Sequence, residues 1–242
     1  MSEPFFYGCW PVCVGVERTI EVECFKNADS LLLECTQLGG KASRQTRIVK
    51  QWCDFFSSTE NKVRKLFVSS RLPTRLFDSI CESSAIEQYG FKWGPIKDLS
   101  RLENLSRLTH LGLGSCSATD LSPVSALESC QKLAVENADR VSDYSPLGDL
   151  ANLQYLHIDG TPLSSNKRPK IEDVNFVSRL KRLRGLSLGF VDIVDANWPN
   201  VIAQLSHLEE LFIPSNSAES DRQMLQQALP QLKSHNLSVS AT

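Results

Sequence analysis

Residues 108–129 read LTHLGLGSCSATDLSPVSALES, and residues 86–107 before them read IEQYGFKWGPIKDLSRLENLSR. Placed one under the other, the two stretches carry apolar residues at the same positions. Leu111 stands under Tyr89, the apolar residue two positions later also matches, and each stretch continues with an Asp-Leu-Ser tripeptide. This agreement of spacing and residue type over a whole period indicates an internal repeat.

The repeat continues on both sides of this pair. Units open at residues 63, 86, 108, 130, 153, 183 and 208, so the period is about 22 residues with two longer units near the end. Each unit opens with alternating apolar and polar residues, a pattern typical of a β-strand with one buried face. Because one unit cannot bury its apolar row alone, we expect the units to stack and share a core.

This pattern resembles the leucine-rich repeat family, in which L-x-x-L-x-L forms a strand on the concave side of a horseshoe. The unit tails DLSRLENL, DLSPVSAL and DYSPLGDL resemble the 22-residue units of bacterial internalins and of phosphatase regulators. The resemblance implies an α/β leucine-rich repeat solenoid, with a curved parallel sheet on the concave side and short helices and turns on the convex side. In these tails Asp98, Asp120 and Asp143 are expected to accept hydrogen bonds from free backbone N–H groups of short helical segments.

Residues 63–214 are predicted to form about seven units, between an N-terminal capping region at 1–62 and a C-terminal cap and tail at 215–242. Residues 19–25 alternate apolar and polar, and an apolar stretch follows at 31–35, which together predict a β-hairpin. Helices are predicted wherever apolar residues recur at a spacing of three or four. The residues that define these helices are Ile48, Trp52, Phe55 and Phe56; Leu76, Phe77 and Ile80; and Leu225, Ala228, Leu229 and Leu232.

Composition excludes several classes of function. The 242 residues include 26 Lys and Arg against 28 Asp and Glu, a net charge of -2, so neither nucleic acid nor an acidic membrane surface is an expected partner. The sequence has eight cysteines and no recognisable secretory signal, so we expect the protein to be located in a reducing cytoplasm. Cys9 and Cys13 are close together but lack a second Cys or His pair, so no metal site is predicted.

Catalytic patterns are weak. The stretch GLGSC at 112–116 is neither a nucleophile elbow nor a phosphate loop, and Cys116 would need an adjacent base such as His110. His110 and His157 lie two repeats apart, about 10 Å at the spacing of neighbouring strands. We therefore predict no enzyme, no catalytic residue, no metal and no cofactor. The alternative is an enzyme or enzyme subunit with its chemistry in residues 1–62 and repeats that position a substrate.

The outward positions of the strands form one surface, called the strand face below. Its middle positions in the central units are small, and aromatic and charged side chains of both signs surround them. This mixture is typical of surfaces that bind proteins. The candidate binding residues are Phe67, Lys92, Trp93, His110, Glu136, Tyr155, His157, Asp159, Phe190 and Phe212.

A second candidate surface is the enlarged loop TPLSSNKRPK at 161–170, which carries Lys167, Arg168 and Lys170. The sequence thus predicts a cytoplasmic, bacterial protein-binding module that regulates or inhibits another protein, with an antidote to a toxin as one form of this role. Replacing Trp93, Tyr155 and His157 with Ala is predicted to weaken partner binding while leaving thermal stability nearly unchanged.

Overall fold

The computed structural model describes residues 16–26, 28–160 and 168–237, and ten strands within them form one parallel sheet in chain order. These strands are β1 Arg18–Thr19, β2 Ser30–Leu33, β3 Lys65–Arg71, β4 Gln88–Trp93, β5 His110–Gly114, β6 Lys132–Glu136, β7 Tyr155–Asp159, β9 Gly185–Leu188, β11 Glu210–Phe212 and β12 Ser234–His235. Two further strands, β8 Lys170–Ile171 and β10 Asp192–Ile193, form a separate parallel pair.

Short helices return the chain from one strand of the large sheet to the next. The α-helices are α1 Ala42–Phe56, α2 Thr74–Cys81, α3 Trp198–Ala203 and α4 Glu219–Ala228, and the 3-10 helices are Val22–Cys24, Ser100–Asn104, Ser122–Ala126, Ser145–Asp149 and Asn175–Arg179. Because these helical connections bring the chain back to the starting end of the sheet, every strand runs in the same direction as its neighbour. Among the described residues, no helix combines the length and apolar composition that crossing a bilayer requires.

The three predicted capping residues act as expected. Asp98, Asp120 and Asp143 each accept a hydrogen bond of 2.7–2.8 Å from the backbone N–H of the serine two residues later. Hydrogen bonds from these serines hold the pKa of all three carboxyls below its ordinary value. Asp173 and Asp195 repeat the same contact in the later units, so the device recurs where the tail sequence has changed.

The apolar residues of the repeated pattern form the core, which confirms the predicted strand positions. Each strand pairs with the next in the same register, so that Leu111 lies between Tyr89 and Leu133. The inward residues are exposed by 1% or less: Leu66, Val68, Tyr89, Phe91, Leu111, Leu113, Leu133, Val135, Leu156, Ile158, Leu186, Leu188, Leu211 and Ile213. Stacked rows of this kind remove apolar surface from water along the whole chain.

The predicted N-terminal hairpin is wrong. β1 pairs with β2 in parallel, and β2 pairs in parallel with β3, placing Leu31 beside Leu66. Alternation of apolar and polar residues predicts a strand but says nothing of its direction, and the turn of 3-10 helix at Val22–Cys24 reverses the chain between β1 and β2. The sheet therefore continues across residue 63 into the region that the sequence suggested was a cap.

The predicted helices are largely confirmed. α1 buries Ile48, Trp52 and Phe56, and the Trp52 indole N–H donates to the carbonyl oxygen of Ile20 at 2.8 Å. α2 buries the three residues predicted for it. At the C-terminal end α4 stops two residues before Pro230, as the missing N–H of proline requires. Its residue Ala228 is exposed rather than inward, because the helix ends there. The short strand β12 beyond it was not predicted.

Candidate functional site

The strand face is laid out in columns, because the strands share one register. Neighbouring strands of a sheet lie about 4.8 Å apart, so consecutive members of a column are within contact distance. The first column holds Lys65, Gln88, His110, Lys132, Tyr155, Gly185 and Glu210, and the middle column holds Phe67, Gly90, Gly112, Ala134, His157, Ser187 and Phe212. Gly114, Glu136 and Asp159 lie in the third column.

Sequence reasoning missed the N-terminal extension of these columns. Arg18 pairs with Leu32, and Leu32 with Phe67, so the middle column continues onto β1 and β2. The three consecutive apolar residues Leu31, Leu32 and Leu33 are consistent with a strand buried on one face and half-buried on the other, but the predicted hairpin gave this strand the wrong partner.

The side chains of Tyr155 and Phe212 pack against the middle column. Both side chains are half-buried and pack against Ala134, which is itself fully buried. His157 and Ser187 in the middle column are each 3% exposed.

His157 is a buried side chain at an outward strand position, and its binding role stays a prediction. Its Nε2 atom lies 3.5 Å from Glu136 Oε1 and 3.7 Å from Asp159 Oδ2. The side chains of Glu136 and Asp159 are 33% and 24% exposed, so both carboxylates are more accessible than the imidazole. Because His157 is buried, we expect its replacement by Ala to lower stability, unlike the sequence-based expectation for Trp93, Tyr155 and His157 together.

Asp159 is held in place by the turn beyond β9. Its Oδ1 atom accepts a hydrogen bond of 2.5 Å from the backbone N–H of Phe190. A Cβ atom on Gly189 would lie 2.8 Å from both carboxylate oxygens, so glycine is needed there to admit the carboxylate. Burial raises the pKa of Asp159. The sequence did not indicate this role of Gly189, since glycine there also fits an ordinary turn.

Trp93 is half-buried at the end of β4, and Lys92 beside it is exposed. The Arg71 guanidinium carbon lies 5.7 Å from the centre of the Trp93 ring, a cation–π distance. Phe67 is half-buried on the adjoining strand. Sequence reasoning missed Arg71, although it continues the alternation of outward residues Lys65, Phe67 and Ser69 along β3.

His110 lies in the first column between Gln88 and Lys132. Its Nδ1 atom is 2.9 Å from Thr109 Oγ1. Burial lowers the pKa of the imidazole to about 4, helped by the positive charges of Lys132 and Lys65. The ring is thus neutral at physiological pH and serves the strand face as a polar, uncharged contact. Lys132 in turn lies with its Nζ atom 5.4 Å from the centre of the Tyr155 ring.

Part of the predicted loop surface lies among the described residues. Lys167 lies outside the described residues, while Arg168 and Lys170 are exposed and line a cleft of about 420 Å³ opposite residues 139–142. Arg168 is 3.7 Å from an oxygen of Asp192. Phe190 is 38% exposed on the far side of β10. Cations and carboxylates alternate in this cleft, so it presents no surface of a single sign.

Several of the described cysteines belong to the core. Cys35, Cys116 and Cys130 are buried, and burial raises the pKa of each. A thiol of raised pKa is a poor nucleophile and a poor metal ligand. Cys9 and Cys13 lie outside the described residues. Within the described part of the chain, no three His, Cys, Asp or Glu side chains are grouped as a metal site would need.

Comparison with known proteins supports the fold. The chain matches none of the known family models and none of the curated protein sequences. Its structure is similar to that of an internalin from Listeria monocytogenes, with a TM-score of 0.59 and 20% identity, covering 87% of this chain. This chain spans 61% of that internalin.

Two other solved structures align less closely. A second internalin of Listeria monocytogenes has a TM-score of 0.43 and 22% identity, over 68% of this chain and 75% of its own. A leucine-rich repeat protein of Leptospira interrogans has a TM-score of 0.42 and 16% identity, over 81% and 58%. The first internalin and the repeated register of the ten-stranded sheet together define the class: the chain is an α/β leucine-rich repeat solenoid.

Proposed function

We propose that this chain is a non-enzymatic module that binds a partner protein through the strand face. The observation that carries the proposal is the composition of this face. Half-buried aromatic side chains, Phe67, Trp93, Tyr155 and Phe212, stand beside exposed charges over a row of small residues. Aromatic anchors that are already held in position lose little conformational entropy on binding, and charges around them select the partner.

The finer form of the proposal is that binding regulates or inhibits the partner, in the cytoplasm of a bacterium. Residues 63–214 supply the binding repeats, and 1–62 and 215–242 close the two ends of the core. A solenoid needs such closing segments, because its terminal units would otherwise expose apolar surface. Burial raises the pKa of the Cys35 and Cys116 thiols, which makes these two residues poor nucleophiles.

Site-specific photo-crosslinking tests the proposal. A photoreactive phenylalanine analogue is placed at Lys92 on the strand face and, as the matched control, at Lys97, which is exposed on the following return segment. In lysate of the native host, we expect one dominant crosslinked protein from position 92 and none from position 97. Trp93→Ala in the first variant should abolish that product. Identical products from both positions would show that the partner does not use the strand face.

A further inference from the structure

Charge is segregated along the strand face. The strands from β3 to β6 carry the cations Lys65, Arg71, Lys92 and Lys132, and those from β6 to β11 carry the carboxylates Glu136, Asp159 and Glu210. Across the described residues, the three lysines have no carboxylate within ion-pair distance. The small net charge of the whole chain therefore conceals a strongly polarised surface.

The cations are oriented by aromatic rings. Arg71 lies over Trp93 at 5.7 Å, and Lys132 lies over Tyr155 at 5.4 Å. A cation–π contact orders the side chain without neutralising its charge, whereas an ion pair with a carboxylate would neutralise it. These charges remain available to an incoming acidic group.

The carboxylates are ordered by different means. Asp159 is fixed by the backbone N–H of Phe190, and Glu136 Oε1 lies 3.5 Å from Nε2 of His157 in the neighbouring column. Glu210 is half-buried at the first position of β11. Ordered side chains of one sign give this end of the face a negative potential that needs no rearrangement on binding.

The two regions meet at β6, but their far ends are well separated. Six strand spacings of about 4.8 Å separate β3 from β11, about 29 Å in all. This exceeds the Debye length of about 8 Å at physiological ionic strength, so the far ends of the face do not screen each other. An extended segment of about nine residues, at about 3.3 Å per residue, would span the same distance.

Resting on the proposed function, we infer that the partner presents a polypeptide segment with its own charges segregated. Its acidic side chains lie over β3 to β5, and its basic side chains lie over β7 to β11. Aromatic contacts with Trp93, Tyr155 and Phe212 occupy the middle. A uniformly charged polyanion fits this face poorly, since one half attracts it and the other half repels it.

Two synthetic peptides of about 20 residues serve as probes, and their affinities are measured by fluorescence polarisation at low salt. The block peptide has glutamates at one end, lysines at the other and a centre of Tyr, Gly and Ser. The shuffled peptide has the same composition with glutamates and lysines alternating. Several exposed charge pairs, each of modest strength, should together make the block peptide bind the full chain about tenfold more tightly.

Charge-reversal variants locate this preference. One variant combines Lys65→Glu with Lys92→Glu, and another combines Glu136→Lys with Glu210→Lys. In each, the ratio of the two affinities should fall to about one, because one half of the face then repels its block. A control with Lys97→Glu, an exposed lysine of the return segment, should keep the wild-type ratio.

The outcomes separate this inference from the proposed function. Equal affinity for both peptides, each lost in Trp93→Ala, overturns the charge inference and leaves the strand face as a binding surface. A block preference that survives both reversals places the peptide elsewhere and contradicts the proposed function too. No detectable binding of either peptide at millimolar concentration also overturns the charge inference.

Discussion

Replacing His157 with Ala should destabilise the fold, although the residue lies on the strand face. The side chain is 3% exposed and lies between Glu136 and Asp159, at 3.5 and 3.7 Å. Its removal empties a buried position and takes away the polar neighbour of a largely buried carboxylate. Both effects oppose folding, and neither requires a partner to be bound.

The size of the loss follows from these surroundings. Truncation of a fully buried aromatic side chain costs about 3–5 kcal/mol. His157 lies beside two partly exposed carboxylates, so water can enter the space that it leaves, and we expect about 2–4 kcal/mol. For a chain of this size that corresponds to a melting temperature lower by about 5–15 °C.

Thermal melts followed by circular dichroism measure this effect. Trp93→Ala is the control, because Trp93 is also aromatic but is only half-buried at the end of β4. The melting temperature of this variant should fall less than that of His157→Ala. His157→Gln, which keeps a polar group of intermediate length, should lie between wild type and His157→Ala. A melting temperature of His157→Ala within about 2 °C of wild type would refute the assignment of His157 to the structure.

Three further outcomes are expected. Gly114→Ala should cost about 1–3 kcal/mol, since its Cβ would overlap a carbonyl oxygen of β4; equal urea midpoints for Gly114→Ala and Gly112→Ala would contradict this. The pKa of His110 falls from 6.5 to about 4 on folding, so the unfolded chain protonates first as pH falls. The resulting stability, at most about 2 kcal/mol after solvent screening, is complete above pH 6.5 and is lost as the pH falls towards 4. Urea midpoints measured over this pH range should vary less in His110→Gln than in wild type. An unchanged pH profile would show that His110 is not the cause of the pH dependence. Iodoacetamide should label exposed Cys24 long before Cys130, whose buried thiol has its pKa raised to about 12, and simultaneous labelling by peptide mass spectrometry would disprove this burial.

The repeat made the interior predictable. Leu111 and Leu113 recur at the same positions in neighbouring units, and strand alternation places such pairs on one face, so the core rows could be assigned residue by residue. The capping aspartates were equally predictable, because an Asp two residues before a free N–H makes a local contact.

The N-terminal strands were less predictable. Residues 31–33 were recognised as a strand, but their partner was misjudged, because strand direction depends on where the chain returns and not on the strand itself. The register irregularity between Val68 and Arg71 posed a similar difficulty, since it pairs Arg71 with Trp93 and the repeated spacing does not predict that pair.

The sequence by itself determined the period, the strands and the inward residues, because these depend on contacts that recur every 22 residues or so and are written into each unit. It also determined which side chains occupy outward positions. Only the tertiary structure decided which of them remain accessible. His157 is buried at an outward position, and Gly189 admits the Asp159 carboxylate through a contact between units that differ in sequence. Accessibility on the strand face is set by the neighbours of a residue, whereas its orientation is set by its own place in the repeat.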